Sequence, residues 1–279
     1  MARIIGGLTT SHIPAVGNAI ARDMQQDDYW KPFFDAYPPI HKWLDTHKPD
    51  VAINIYNDHG LGFFLDQMPT FAIGAAHEYR NEDEGWGLPK LPPFPGDAKL
   101  SWHIIEGMVA DEFDITSCQE LAVDHGYTVP MQLFWPKGNY PPTIPISANT
   151  VQHPIPTLKR ALDFGKALGR AIRSYPEDIK VVILGTGGLS HQLDGARAGF
   201  INREFDEMCM EKIVTDPESL TRISRHELVE KAGAQGTEFL MWMMMRGALG
   251  DKVNPLLKNY HIPISNTGAG TMLLECIND

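Results

Sequence analysis

Histidine is the commonest protein ligand for metals and, with an ordinary pKa of about 6.5, the side chain best suited to moving a proton near neutral pH. Three strand-forming runs in this chain each end in a polar turn that delivers one: RIIGGLTTSH gives His12, VAINIYNDH gives His59 and VVILGTGGLSH gives His191. A fourth candidate, His125, follows CQELAVD in the stretch VDHGYTVP. In an open α/β sheet, ligands collect in the crevice beyond the carboxyl ends of the strands, so histidines placed there can converge from distant parts of the chain. That is the pattern of a metal or acid/base centre. Any one of these histidines alone reads more simply as a satisfied polar residue at a strand end; the repetition carries the argument.

A metal centre also needs a carboxylate. In GTEFLMWMMMRGAL, Glu238 shares a helical face with Met241, Trp242 and Met245, which puts an acid on an apolar stripe. Burying it costs free energy unless a cation compensates, although an acid in a first helical turn is also favoured by the macrodipole and can stay hydrated. Two histidines and one carboxylate on strand ends and a helix make the facial triad that holds iron(II) and leaves positions open for substrate and dioxygen. By contrast, His226 and Glu230 in HELVE lie among Arg225, Glu227 and Lys231 on a solvated face. No HExxH motif is present, which removes the zincin protease reading. The GTGG run at 185–188 leads into SHQL rather than a phosphate-cradling helix, so it is no dinucleotide fingerprint. His41, His47, His77 and His103 lie in polar or helical settings and receive no role.

The elements that must position these groups alternate along the chain as in an α/β fold. Periodicity predicts strands over 2–9, 51–56, 116–123, 144–150 and the KVVILG run, and helices over 38–47, 100–112, 156–174, 199–214, 225–232 and 236–248. The reading is one catalytic domain over 1–279 with a central, mostly mixed sheet flanked by helices and the site at strand ends. The segment 81–98, NEDEGWGLPKLPPFPGDA, is too rich in Gly, Pro and acids for a regular element; it is either a rim or lid of the site or a surface excursion.

Bulk properties narrow the class. The 279 residues are ample for a buried site, and 43% hydrophobic with 21% charged residues describes a packed globular chain. A formal net charge of -11 argues against nucleic-acid backbones and anionic membrane surfaces. No basic-then-apolar leader and no apolar run of about 18 residues is seen, which points to a soluble cytoplasmic protein. Cys118, Cys209 and Cys276 are few and scattered, as reduced structural thiols are.

Several motifs together carry a resemblance: TSHIPA around His12, NDH around His59, EGWG at 84–87, DEFD at 111–114, VDHGYTVP, GTGGLSHQL, AGFINREFD at 198–206, MWMMMRGAL at 241–249 and HIPISNTGAG at 261–270. In order, over essentially the whole chain, they resemble the catalytic β subunit of protocatechuate 4,5-dioxygenase, a class III extradiol ring-cleavage dioxygenase. The resemblance implies His12, His59 and Glu238 as iron(II) ligands and His191 as the catalytic acid/base. It further implies His125 as a second active-site histidine towards the substrate, Ser265 and Asn266 near the substrate carboxylate, and Asn57 and Asp58 as supports around the ligand they flank.

The activity implied by the resemblance is cleavage of a carboxylated catechol of protocatechuate or gallate type between carbons 4 and 5 with O2, in the breakdown of aromatic compounds such as those from lignin. The resemblance also implies a partner, because the family's small helical α subunit, or in gallate dioxygenases a fused domain, covers the active site. The expectation here is a separate α subunit in an α2β2 assembly or a covering homodimer, with 81–98 and the methionines at 241–245 as places for contact. Two other classes fit the same residues: a zinc-dependent hydrolase or lyase on the His/His/Glu set, and a metal-free binding subunit with structural histidines.

Overall fold

Val51–Tyr56 and Lys180–Thr186 are nearly unbroken apolar runs, the composition of parallel strands covered on both faces. They lie side by side in the middle of an eight-stranded sheet. The computed structural model describes residues 1–85, 87–262 and 266–277. Its elements run β1 (Arg3–Thr10), α1 (Pro14–Ala21), α2 (Lys31–Phe34), α3 (Tyr37–His47), β2 (Val51–Tyr56), β3 (Phe71–Gly74), β4 (Glu78–Asn81), β5 (Phe94–Pro95), α4 (Ala98–Ala110), β6 (Thr116–Cys118) and β7 (Ala122–Val123). They continue with α5 (His125–Phe134), β8 (Thr143–Ala148), α6 (Leu158–Arg173), β9 (Lys180–Thr186), α7 (Arg203–Thr215), α8 (Pro217–Leu220), α9 (Arg225–Ala232), α10 (Phe239–Ala248), β10 (Val253–His261) and β11 (Ala269–Cys276).

The sheet order is β10-β11-β1-β9-β2-β8-β3-β6. Strands β1, β9, β2 and β8 are mutually parallel, while β11 and β3 run antiparallel to their inner neighbours, so the sheet is mixed as the alternation predicts. Both ends of the chain enter it, because β11 pairs with β1. One apolar layer, from α4, α6, α7, α9 and α10, covers one face, and a second, from α1, α3 and α5, covers the other. The best-patterned helix, α6, is capped by Thr157, which accepts from the Arg160 N–H, and packs closely on α10.

The structure departs from the sequence reading in places. The run 116–123 is broken: β6 edges the large sheet, while β7 belongs to a three-stranded sheet with β4 and β5. Helix α5 is not predicted by the pattern, because Gly126 and Pro130 obscure it; Asp124 caps it by accepting from Gly126 N–H. The hairpin β10–β11 and helix α1 also lie outside the predicted elements. The methionines at 241–245 are completely buried, so they offer no partner surface.

Candidate metal centre

Because β1, β9 and β2 are adjacent and parallel, their carboxyl ends lie together, and each is followed within a few residues by a histidine: His12 after β1, His59 after β2 and His191 after β9. The topology brings to one place what the sequence holds 179 positions apart. His125 joins them differently, as the first residue of α5. The ring centroids of His12 lie 5.1 Å from His59 and 5.7 Å from His125, and those of His59 and His125 are 3.9 Å apart.

Glu238 reaches the same point from the opposite layer. It ends the short helical turn Gln235–Glu238 just before α10, and is buried with Oε1 3.4 Å from His12 Nε2 and 3.8 Å from His59 Nε2. Its Oε2 accepts from the Gly188 N–H at 2.6 Å and lies 3.8 Å from His191 Nε2. Gly187 permits this approach: its φ is 121°, and a Cβ there would meet Glu238 Cβ at 2.7 Å. Glu238 is therefore not a hydrated first-turn acid; it lies buried on the same side as Met241, since a Cβ at Gly187 would meet both side chains. Burial disfavours its charge, but the surrounding His12 and His191 imidazoles outweigh that and hold the carboxyl well below its ordinary range.

Each histidine has its Nδ1 edge occupied, which turns Nε2 towards the centre. His12 Nδ1 is 3.1 Å from Thr186 Oγ1, whose single proton faces the carbonyls of Ile55 and Gly126 at 3.1 and 3.3 Å, so the hydroxyl oxygen accepts from Nδ1–H. Asp124 Oδ2 accepts both the backbone N–H of His59 at 2.7 Å and its Nδ1–H at 2.9 Å. Glu84 accepts the backbone N–H and Nδ1–H of His125, each at 2.5 Å, and Leu189 O accepts from His191 Nδ1–H at 3.0 Å. Such outer contacts set the tautomer and orientation of metal-ligating imidazoles.

The donor set fits a divalent cation. His12 Nε2 is buried and makes no hydrogen bond among the described residues, an expensive arrangement unless an ion takes its lone pair. Donors about 2.0–2.2 Å from a shared ion stand up to about 4 Å apart, which covers the 3.4 and 3.8 Å separations. Without an ion, burial works against a charge on His59, yet the carboxylates of Asp124 and Glu238 raise its pKa to about 10. A positive charge is stabilised at this point, and a metal supplies one.

A three-imidazole set of His12, His59 and His125 also brings one nitrogen each within 4.8 Å. Its geometry is poorer, because His59 and His125 lie nearly face to face at 32°, which runs their in-plane lone pairs side by side, whereas His12 and His59 meet at 87°. Burial and the neighbouring His59 charge lower the pKa of His125, which favours its neutral form.

The supporting residues divide. The Asn57 amide lies 3.2 Å from His59 Nε2, so it touches the centre. Asp58 instead accepts the backbone N–H groups of Gly60, Leu61, Gly62 and Phe63, fixing the turn after His59 without touching its ring. Ser265 lies outside the described residues. Asn266 is exposed with φ 49°, and the adjacent Thr267 forms a bridge with His191, with Gly268 N–H donating to Ser190 O at 2.8 Å. Asp206, which nothing in the pattern of AGFINREFD singles out, holds this junction: it accepts from Ser190 N–H, Ser190 Oγ–H and Tyr260 Oη–H at 2.8, 2.6 and 2.8 Å. Asp124 and Glu84 likewise escape the sequence reading as supports; only the Asp-x-Gly cap signature of VDHG marks the first.

Among known proteins, the chain is 42% identical over 195 residues to gallate dioxygenase of Pseudomonas putida, covering 69% of this chain and 57% of that protein. It is 29% identical over 201 residues to a 2,3-dihydroxyphenylpropionate/2,3-dihydroxicinnamic acid 1,2-dioxygenase of Photorhabdus laumondii, covering 72% and 60%. The aligned part thus spans under two thirds of the length of each of these relatives. A solved structure of an uncharacterized Escherichia coli protein shares the fold, with a TM-score of 0.63 at 13% identity over 96% of this chain and 99% of that one. Residues 6–270 match the family described as catalytic LigB subunit of aromatic ring-opening dioxygenase, and the chain belongs to that family.

Proposed function

We propose that this protein is a non-haem iron(II) extradiol dioxygenase that opens the ring of a carboxylated catechol of protocatechuate or gallate type between carbons 4 and 5. The observation that carries the reading is the convergence of His12 Nε2, His59 Nε2 and Glu238 Oε1 on one buried point, with every Nδ1 edge turned away from it. Two imidazoles and one carboxylate are the donor set of iron(II) oxygenases rather than of closed structural zinc sites. His12, His59 and Glu238 hold the metal in this proposal, and iron(II) there supplies the electronic path between a bound diol and dioxygen that the two lack alone.

The chain's own groups do the rest. With Nδ1–H donated to Leu189 O, His191 presents a basic Nε2 that takes a substrate hydroxyl proton and returns it later in the reaction. His125, whose ring lies 3.9 Å from that of His59, orients the substrate in this proposal. Ser265 and Asn266 receive the substrate carboxylate in this proposal; Thr267 and Gly268, which follow them, pair with 189–191. The likeness to a gallate dioxygenase favours gallate or its methyl ethers within this class. A separate small helical α subunit, or a second copy, covers the site in this reading; Phe64 and Leu65, 55% and 82% exposed on the turn after His59, are apolar surface for it. Cytoplasmic residence accords with the lack, among the described residues, of any helix long and apolar enough to cross a membrane.

The test is oxygen uptake after anaerobic loading with iron(II), against protocatechuate, gallate, 3-O-methylgallate and 2,3-dihydroxyphenylpropionate, with product spectra recorded. Uptake with a carboxylated catechol and appearance of a ring-opened semialdehyde or its equivalent are expected. Activity with zinc(II) and no oxygen consumption would establish the hydrolase or lyase alternative instead.

A further inference from the structure

Residues 81–85 and 87–98 lie largely at the surface, and Glu82, Asp83 and Gly85 are exposed. Glu84, between them, turns inward: its side chain is only 6% exposed and grips one residue. One oxygen accepts the backbone N–H of His125 and the other accepts its Nδ1–H. Asp124 also takes the backbone N–H and Nδ1–H of a single histidine, His59, but on one oxygen, Oδ2. The fold thus uses one device twice, a carboxylate that clamps both donors of a histidine. At His59 it acts on a proposed metal ligand. At His125 it acts on a residue outside the proposed ligand set, packed on His59.

We propose that Glu84 is a positioning residue that fixes His125 as the Nδ1–H tautomer, so that Nε2 meets the substrate as a hydrogen-bond acceptor, and that this contact makes Glu84 and its turn at 81–85 part of the active site. The role in turnover rests on the proposed dioxygenase reading; the tautomer assignment does not. The chemistry is restrictive. A glutamine at 84 has one acceptor oxygen for two donors. The backbone N–H of His125 cannot lose its proton, so the amide oxygen stays there and the amide NH2 faces the ring. The ring accommodates this by moving its proton from Nδ1 to Nε2, which converts an acceptor into a donor towards the substrate.

The experiment compares wild type and E84Q by 15N NMR of histidine-labelled protein loaded with zinc(II), which is diamagnetic, with the His125 signal assigned by its loss in H125F. The iron(II)-loaded proteins are compared by oxygen uptake. A protonated Nδ1 in wild type, a protonated Nε2 in E84Q, unchanged metal stoichiometry and a turnover lowered about 10–100-fold are expected, the usual cost of losing an outer support. A His125 that keeps Nδ1–H in E84Q with wild-type turnover overturns the proposal and leaves Glu84 as a loop fastener. If E84Q does not load metal, E84A decides in the same measurement: a mixture of tautomers supports the assignment, and retained Nδ1–H overturns it. A wild-type protein that consumes no oxygen with any catechol refutes the functional reading, while the 15N comparison still settles the tautomer.

Discussion

Asp124→Asn is the most informative single substitution, because Asp124 joins the stability of α5 to the state of His59. Its Oδ2 takes two donors from His59 and its Oδ1 takes the capping N–H of Gly126. Asparagine has one acceptor oxygen. Directed at His59, it turns two charge-assisted hydrogen bonds, about 1.5–3 kcal/mol each, into neutral ones of about 0.5–1.5 kcal/mol. The cap on α5 is then lost, at about 1 kcal/mol. Together this gives a loss of about 3 kcal/mol in the metal-free protein, measured by urea unfolding at pH 7, and a metal affinity about 10–100-fold weaker in chelator competition. The pH dependence supplies an independent sign. Burial lowers the pKa of His59, but Asp124 and Glu238 overcome it and raise the pKa to about 10. A pKa raised on folding stabilises fully below the unfolded value of about 6.5 and ceases to do so as pH rises through the folded value. The metal-free wild type therefore loses stability between pH 7 and 10, and the variant loses much less. Asp124 itself is held below its ordinary range, burial notwithstanding, by His59, so its own contribution disappears as the solution is acidified through the carboxylate range. A variant within about 0.5 kcal/mol of wild type, the size of an ordinary surface change, with an unaltered alkaline limb would refute the clamp.

Replacing His12 or Glu238 by alanine should abolish stoichiometric iron binding while circular dichroism and the cooperative unfolding transition persist, because the two apolar layers form without these groups; iron retained by H12A would remove it from the ligand set. His191→Phe should keep iron, measured by metal analysis, and lower turnover by about two to four orders of magnitude, whereas iron loss there would make His191 a ligand. Gly187→Ala puts a Cβ 2.7 Å from Glu238 Cβ at φ 121°; the carboxylate should be displaced and metal affinity fall in chelator competition, and unchanged affinity would show that the Gly188–Glu238 contact does not place the acid.

The histidines are legible in the sequence because their positions depend on a rule of topology rather than on any particular contact. Parallel strands flanked by helices put their carboxyl ends on one edge, so a histidine shortly after β1, β9 and β2 reaches the same crevice whatever the side chains in between. Glu238 is legible for a related reason: an acid beside an apolar run is costly, and the cost announces a partner. The fold class follows from the same alternation, while β3, β4 and β10 escape because short or half-exposed strands carry too weak a period.

The carboxylates behind the histidines are not legible, and the reason is physical. Asp124, Glu84 and Asp206 are acids of the kind that solvated turns and helix starts also carry. What distinguishes them is burial imposed by segments far away: Asp124 meets His59 across 65 positions, Glu84 meets His125 across 41, and Asp206 meets Tyr260 across 54. Hydrogen-bond partnership of this kind has no period and no composition. It depends on whether two chain segments come within about 3 Å with donor facing acceptor, which only the packed fold decides. The consequence for function is specific. The residues that select a metal can be read from pattern, but those that set each imidazole's tautomer, and so decide which histidine binds an ion, which moves a proton and which accepts a hydrogen bond, enter only with the third dimension.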